Sequence, residues 1–305
     1  MKKSLLMLAI SIFVSAFSQT FAQNPGMTEG PPKVLAITRE DIKPGMMPAH
    51  NRHAAEFVGI FSKLQTPNHR LALVPVAGSE NEVLYLTRAE SFAEVERISN
   101  DTDKKMSAVS GGMKSQLDRL EKEAPDLHVA MRDMLALYRP ELSFNPNPTV
   151  PIAQMRYFSV TTIRVRPGHD AQYADYVQKV VNIARQKAKV DNLHIAVFQV
   201  ISGAPGGTYL SFRPMRSLGE LDEPIGMKVR AAMSDDQRKD ADKAVGEAVI
   251  SSETSTYTFA PRMSYVQKEF AAMDPAYWNP KPEMAPKPKP KRRVAKPAAP
   301  PPPNQ

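Results

Sequence analysis

Two apolar periods alternate along this chain, and each predicts a different element. Short runs rich in Val, Ile, Leu, Tyr and Thr occupy 71–76, 82–88 and 157–166, bounded by Gly, Pro or Asn, which is the pattern of strands. From Asp170 onward Tyr173, Tyr176, Val177, Val180, Val181 and Ala184 recur at helical spacing, with Gln172, Lys179 and Arg185 off the stripe. An earlier stretch puts Ala54, Phe57, Val58 and Phe61 on the same kind of stripe. Segments 78–81 and 203–207 are rich in Gly, Asn, Ser or Pro and predict hairpin turns between a second and a third strand.

The same succession occurs twice. Lys43-Pro44-Gly45 and Arg166-Pro167-Gly168, 123 residues apart, each separate a strand from a helix, so the Pro-Gly is read as a strand-to-helix turn. His69 opens one following strand and His194 the other, at an offset of 125, and Tyr85-Leu86 aligns with Tyr209-Leu210. Ser91 to about Ala136 reads as two or three helices broken at Ser110-Gly111-Gly112 and Ala124-Pro125, and Pro214 to Ile250 is its counterpart. The segment 139–144 lies over 260–265. A drift of a few residues is what loop insertions leave in a duplicated unit.

Each copy therefore reads strand, helix, strand, strand, helices, strand. That is the ferredoxin-like βαββαβ unit, an α+β fold with helices on one face of an antiparallel sheet. Such a unit leaves one sheet face uncovered, and two copies bury those faces against each other in a pseudo-dimeric sandwich or barrel. In order, length and duplication, residues 33–267 resemble the dimeric α/β-barrel superfamily, which includes antibiotic-biosynthesis and haem-degrading monooxygenases and, in tandem form, chlorite dismutases. The expected domains are 33–148 and 149–270.

The ends carry separate expectations. Residues 1–22 combine Lys2 and Lys3 with an apolar run from Leu5 to Phe17 and end at Ala22, the layout of a cleavable secretory signal too short for a comfortable span. A periplasmic or secreted protein is expected, cleaved after Ala22, with a flexible leader over 23–32 and no transmembrane span. Residues 271–305 are expected to be a disordered Pro/Lys-rich tail. The chain has a formal charge of +8, of which residues 281–305 supply +6 and the signal +2. The rest is neutral, so no nucleic-acid-binding face is expected, while the tail suits an anionic envelope component. With no cysteine in the sequence, disulfides, thiolate metal sites and cysteine nucleophiles are excluded.

Chemistry concentrates on the first helix of each copy. Moving back 123 residues from Tyr173 and Tyr176 reaches His50 and His53, so the same inward face carries two histidines in one half and two tyrosines in the other. The resemblance implies a cleft between this helix and the sheet, which makes His50, His53, Tyr173 and Tyr176 the ligand-pocket candidates. Residues three apart share a helix face, so the two histidines could hold a metal or polar ligand jointly. No signature supplies a third ligand, and packing is the competing reading, so no metal and no cofactor are assigned. His69 and His194 are read as capping or surface residues, and His169 as a helix cap. The haem-degrading enzymes use an Asn, His and Trp set, whereas Trp278 is the sole tryptophan here. No phosphate-binding loop or nucleophile elbow is found. The sequence thus points to a binding module for a small apolar or aromatic molecule, or a structural or interaction module. A cofactor-independent monooxygenase-like enzyme and an envelope adaptor acting through its tail are the alternatives.

Overall fold

A computed structural model describes residues 30–280; the signal-like segment, most of the leader, and the tail from 281 lie outside the described residues. In the first half, β1 (Val34–Ile42) leads through a turn into α1 (Met47–Leu64), then β2 (Leu71–Ala77), β3 (Glu82–Ala89), α2 (Phe92–Ser107), α3 (Gly111–Leu127) and β4 (His128–Tyr138). The second half repeats this with β5 (Tyr157–Val165), α4 (Asp170–Tyr176), a π-turn over Val177–Val181, and α5 (Asn182–Lys187). It continues through β6 (Ala196–Ser202), β7 (Thr208–Met215), α6 (Ile225–Ala231), α7 (Asp235–Ala248) and β8 (Val249–Phe259). Two short helices, α8 (Lys268–Ala272) and α9 (Pro275–Trp278), follow.

The strands close in the order β1-β3-β2-β8-β5-β7-β6-β4, every neighbouring pair antiparallel. Within each half this is the ferredoxin-like order, and β2–β8 and β4–β6 join the halves, so the expected sandwich or barrel is a closed barrel. Closure pairs every strand on both sides, although the first parts of β4 and β8 are hydrogen-bonded on one side only. Beyond β4 and β8 the chain makes matching 3₁₀ turns at Pro140–Leu142 and Pro261–Met263. Phe144 then bridges to Ile195, and Tyr265 to Arg70, each half reaching into the other.

Alternation along the strands sorts side chains into two layers. Leu35, Ile37, Leu84, Phe158, Phe198, Phe212 and Phe259 point into the barrel. Ile42, Ala72, Val83 and Tyr85 face the helices of the first half, and Val165, Val197 and Tyr209 those of the second. The two Pro-Gly turns are equivalent: Gly45 has φ +80° and Gly168 φ +84°, a left-handed conformation that a side chain disfavours. Ser234 begins α7 with a capping box closed by Gln237. No helix among the described residues is long and apolar enough to cross a membrane.

Three sequence expectations change. The helical stretch drawn to Ala136 ends at Leu127, because His128 already pairs in β4, and its counterpart drawn from Pro214 to Ile250 gives up both ends to β7 and β8. The first halves of β4 and β8 project with exposed side chains, so the apolar alternation that would reveal a strand is missing. The domain end set at 270 falls inside α8. Trp278 closes one end of the barrel, 5 % exposed, with its indole N–H donating to the Ala153 carbonyl at 2.7 Å. Finally, cross-strand register makes Tyr209 the counterpart of Val83, two residues away from the sequence alignment with Tyr85.

Candidate functional site

Of the four candidates, His50 lies in a polar cluster and the others do not join it. His50 sits in the first turn of α1, 1 % exposed, and its Nε2 lies 2.6 Å from Glu40 Oε2 on β1. The same carboxylate oxygen lies 3.2 Å from Nε2 of His128, the first residue of β4. The two imidazoles meet edge to face, with ring centroids 5.3 Å apart. One ligand atom from each of Glu40, His50 and His128 lies within 4.8 Å of the others. His53 turns elsewhere: its Nε2 bonds the Leu120 carbonyl at 2.8 Å and its ring packs on Phe57. The second-half pair serves packing. Tyr173 lies on Tyr209, with centroids 5.0 Å apart, and burial pushes its hydroxyl up to about 12; Tyr176 packs against the same cluster.

Each position in the cluster follows from local structure. Glu40 is on the helix-facing side of β1, where the burial of a carboxylate requires partners. The turn at Lys43-Pro44-Gly45 brings α1 back across the sheet, which sets His50 over Glu40. A bulge at Asp41/Ile42 pairs Ile42 with His128, delivering the second imidazole. Burial raises the Glu40 pKa, but the hydrogen bonds from His128 and His50 outweigh it and bring the carboxyl down to about 2. Its bond to Glu40 correspondingly raises the His128 pKa, against the opposing effect of burial.

Tautomers sharpen the picture. The Ala124 carbonyl accepts from His128 Nδ1–H at 2.7 Å. A neutral His128 therefore presents a lone pair, not a proton, to the Glu40 oxygen. His50 Nδ1 is buried with no hydrogen-bond partner among the described residues. The neighbourhood also holds Tyr85, 2 % exposed, with the Arg70 guanidinium 4.2 Å from its ring centroid.

The duplication supplies an internal comparison. An offset of 123 carries Glu40 to Ile163 and His50 to Tyr173. The bulge that pairs Ile42 with His128 recurs where Val165 pairs with Val249. So the second half fills the same three places with Ile163, Tyr173 and Val249, all in one apolar cluster. The polar triad is confined to one half, and the fold does not require it.

The sequence pointed to His50 and missed Glu40 and His128. The Pro-Gly offset, applied to strand residues as well as helix residues, could have found Glu40 as a charge opposite Ile163. The remaining histidines have local roles. His69 stacks on Tyr265 and His194 Nδ1 bonds the Asn145 carbonyl, while His169 Nδ1 bonds Gln172 beside the start of α4.

Strand order and site describe a single-chain closed α/β barrel of two ferredoxin-like halves in which, among the described residues, Glu40, His50 and His128 form one polar cluster that could hold a metal, between helix and sheet of the first half. No family model matches the sequence, and no curated protein matches it. Among solved structures, an anthrone oxidase-like protein aligns with TM-score 0.44 and 12% identity, covering 74% of this chain and 91% of its own. A mutant chlorite dismutase from Candidatus Nitrospira defluvii aligns with TM-score 0.46 and 10% identity, covering 80% of this chain and 97% of its own. Likeness at that level says nothing of activity; the fold assignment rests on the strand order itself.

Proposed function

We propose that the protein is exported and that its first half holds one divalent first-row transition ion on Glu40, His50 and His128. One observation carries this reading. With Nδ1–H held by Ala124, a neutral His128 ring would present its Nε2 lone pair to a carboxylate oxygen 3.2 Å away, and two acceptors face each other only when a cation lies between them. A proton or a metal ion can be that cation. A ring whose Nδ1–H is fixed by a backbone carbonyl while Nε2 faces an anion is the usual preparation of a metal-ligating histidine.

Two imidazoles and one carboxylate suit Zn²⁺, Co²⁺, Ni²⁺ or Cu²⁺ better than Mg²⁺ or Ca²⁺. Tetrahedral zinc, with bonds of about 2.0–2.1 Å, sets its ligand atoms roughly 3.4 Å apart. The His128–Glu40 separation already matches, and the 2.6 Å His50–Glu40 contact must open by less than an ångström. An ion there ties α1 to β1 and β4. The depth of the cluster favours this structural role over a reaction centre. A monooxygenase-like reaction would use His50, His53, Tyr173 or Tyr176 as base or orienting group, and none of the four lines the barrel cavity. The tail's proposed anionic partner is a separate matter: unchanged envelope fractionation after deletion of 281–305 would remove it.

The test is zinc titration of the chain from residue 23, stripped with EDTA, by calorimetry and thermal unfolding. One equivalent is expected, and at free zinc about 100 times Kd it adds about 2.7 kcal/mol, raising Tm by roughly 5–10 °C. Glu40→Gln and His128→Gln abolish the response, whereas His53→Gln keeps it. A wild-type protein that takes up no zinc leaves the proton as the bridging cation and overturns the metal reading.

A further inference from the structure

The barrel interior holds a second feature that the metal reading does not use. Its inward-facing side chains change from apolar to polar in one direction on every strand that lines it. Ile37 gives way to Arg39 on β1, Leu84 to Glu82 on β3, Met134 to Arg132 on β4, and Val160 to Thr162 and Arg164 on β5. Antiparallel register puts all these polar residues at the same end, opposite the end that Trp278 closes. They surround a cavity of about 350 Å³ whose floor is Leu84, Val160, Leu210 and Phe212. That volume falls in the range of small-molecule sites, and an apolar floor under a few polar groups is their usual composition.

The charges at this mouth are unequally used. Arg39 Nη2 pairs with Glu82 Oε2 at 2.6 Å, and Tyr257 donates its hydroxyl to the same carboxylate, so those groups satisfy one another. Arg132 and Arg164 have no ion-pair or side-chain hydrogen-bond partner among the described residues, and the Arg164 Nε–H is buried without an acceptor. A buried guanidinium donor is costly to leave unpaired, and a carboxylate is the acceptor whose geometry it matches. Glu82 and Glu253 also line the mouth and oppose a dianion, so the selected charge is a single negative one.

We propose that the barrel mouth binds a small monocarboxylate with an apolar body. Its carboxylate lies on the Arg132 and Arg164 guanidinium groups, and its body packs on Leu84, Val160, Leu210 and Phe212. Polar head and apolar floor together ask for an amphipathic anion, where either alone would not. This site is separate from the Glu40–His50–His128 cluster, which lies on the helix-facing side of the sheet, and neither proposal depends on the other.

The test uses octanoate, octanol and octylamine, titrated in EDTA into the chain from residue 23, with Tm and calorimetry as readouts. Octanoate is expected to bind saturably and raise Tm, and the alcohol and amine to bind at least tenfold more weakly. Arg164→Gln weakens octanoate at least tenfold; Arg132→Gln, a change at an exposed residue, does so with circular dichroism unchanged. Both variants keep the wild-type zinc response. Equal affinity for octanoate and octanol, unchanged octanoate affinity in both arginine variants, or no octanoate binding up to millimolar concentration would each overturn the proposal.

Discussion

Replacing Glu40 by Gln keeps the shape of the buried side chain and removes its charge, so it isolates the electrostatic part of the cluster. In the folded protein the Glu40 carboxyl is held near 2 against an ordinary value of 4.5. A folded pKa below the unfolded one contributes stability that is fully present above about 4.5 and is lost as pH falls toward 2. The difference corresponds to about 3 kcal/mol at neutral pH, of which roughly a quarter is gone by pH 4 and more than half by pH 3. Urea unfolding in EDTA is the assay, with wild type and Glu40→Gln compared at pH 7, 4 and 3. The variant should be less stable by about 3 kcal/mol at pH 7, and the gap should narrow to about 1 kcal/mol at pH 3. A gap that is absent at pH 7, or that stays constant down to pH 3, refutes the account of a charged carboxylate held by two imidazoles.

His128 has a raised pKa through its bond to Glu40, so without metal the stability it contributes is complete below about 6.5 and falls as pH rises through the raised value. Bound zinc needs the neutral ring, so the zinc-induced rise in Tm should grow over the same pH range; parallel curves with and without zinc would contradict this. Trp278→Ala removes a buried ring and its bond to Ala153, with an expected loss of about 3–5 kcal/mol by urea unfolding. Truncation at residue 270 should be comparably harmful; an unaffected truncation would mean that α9 does not close the barrel. Gly168→Ala meets open space but a φ of +84°, so a cost of about 1–2 kcal/mol in chemical denaturation is expected with no change in zinc affinity.

The fold was legible because its signals are local and repeated. Lys43-Pro44-Gly45 and Arg166-Pro167-Gly168 mark the strand-to-helix turns, and the stripes after them mark α1 and α4. What escaped was set by distance or exposure. Glu40 belongs to the site through cross-layer packing over α1, and His128 through a pairing with Ile42 across the sheet, neither of which has a spacing signature. The exposed start of β4 hid His128 further, since Glu121, Lys122, Glu123 and Ala124 before it continue a good helix pattern. Trp278 lies at the edge of the Pro-rich run that begins at Pro280, and what anchors it is non-local: its indole N–H on the Ala153 carbonyl, the Tyr277 hydroxyl on the Phe259 carbonyl and the Arg156–Asp274 ion pair. The His-to-Tyr asymmetry is visible in the sequence, whereas the contrasts that accompany it, Glu40 against Ile163 and His128 against Val249, emerge only from cross-layer packing and strand pairing.

That asymmetry also supplies the decisive variant. The second half demonstrates that Ile, Tyr and Val pack at these three places, so Glu40→Ile, His50→Tyr and His128→Val together should fold, with metal-free stability equal to or above wild type, as buried charge clusters replaced by apolar groups commonly allow. The measurement is zinc content by elemental analysis after loading and desalting, on wild type and triple variant side by side. One zinc per wild-type chain and none in the folded triple variant is the predicted result; equal zinc in both, or none in wild type, would contradict a first-half metal site.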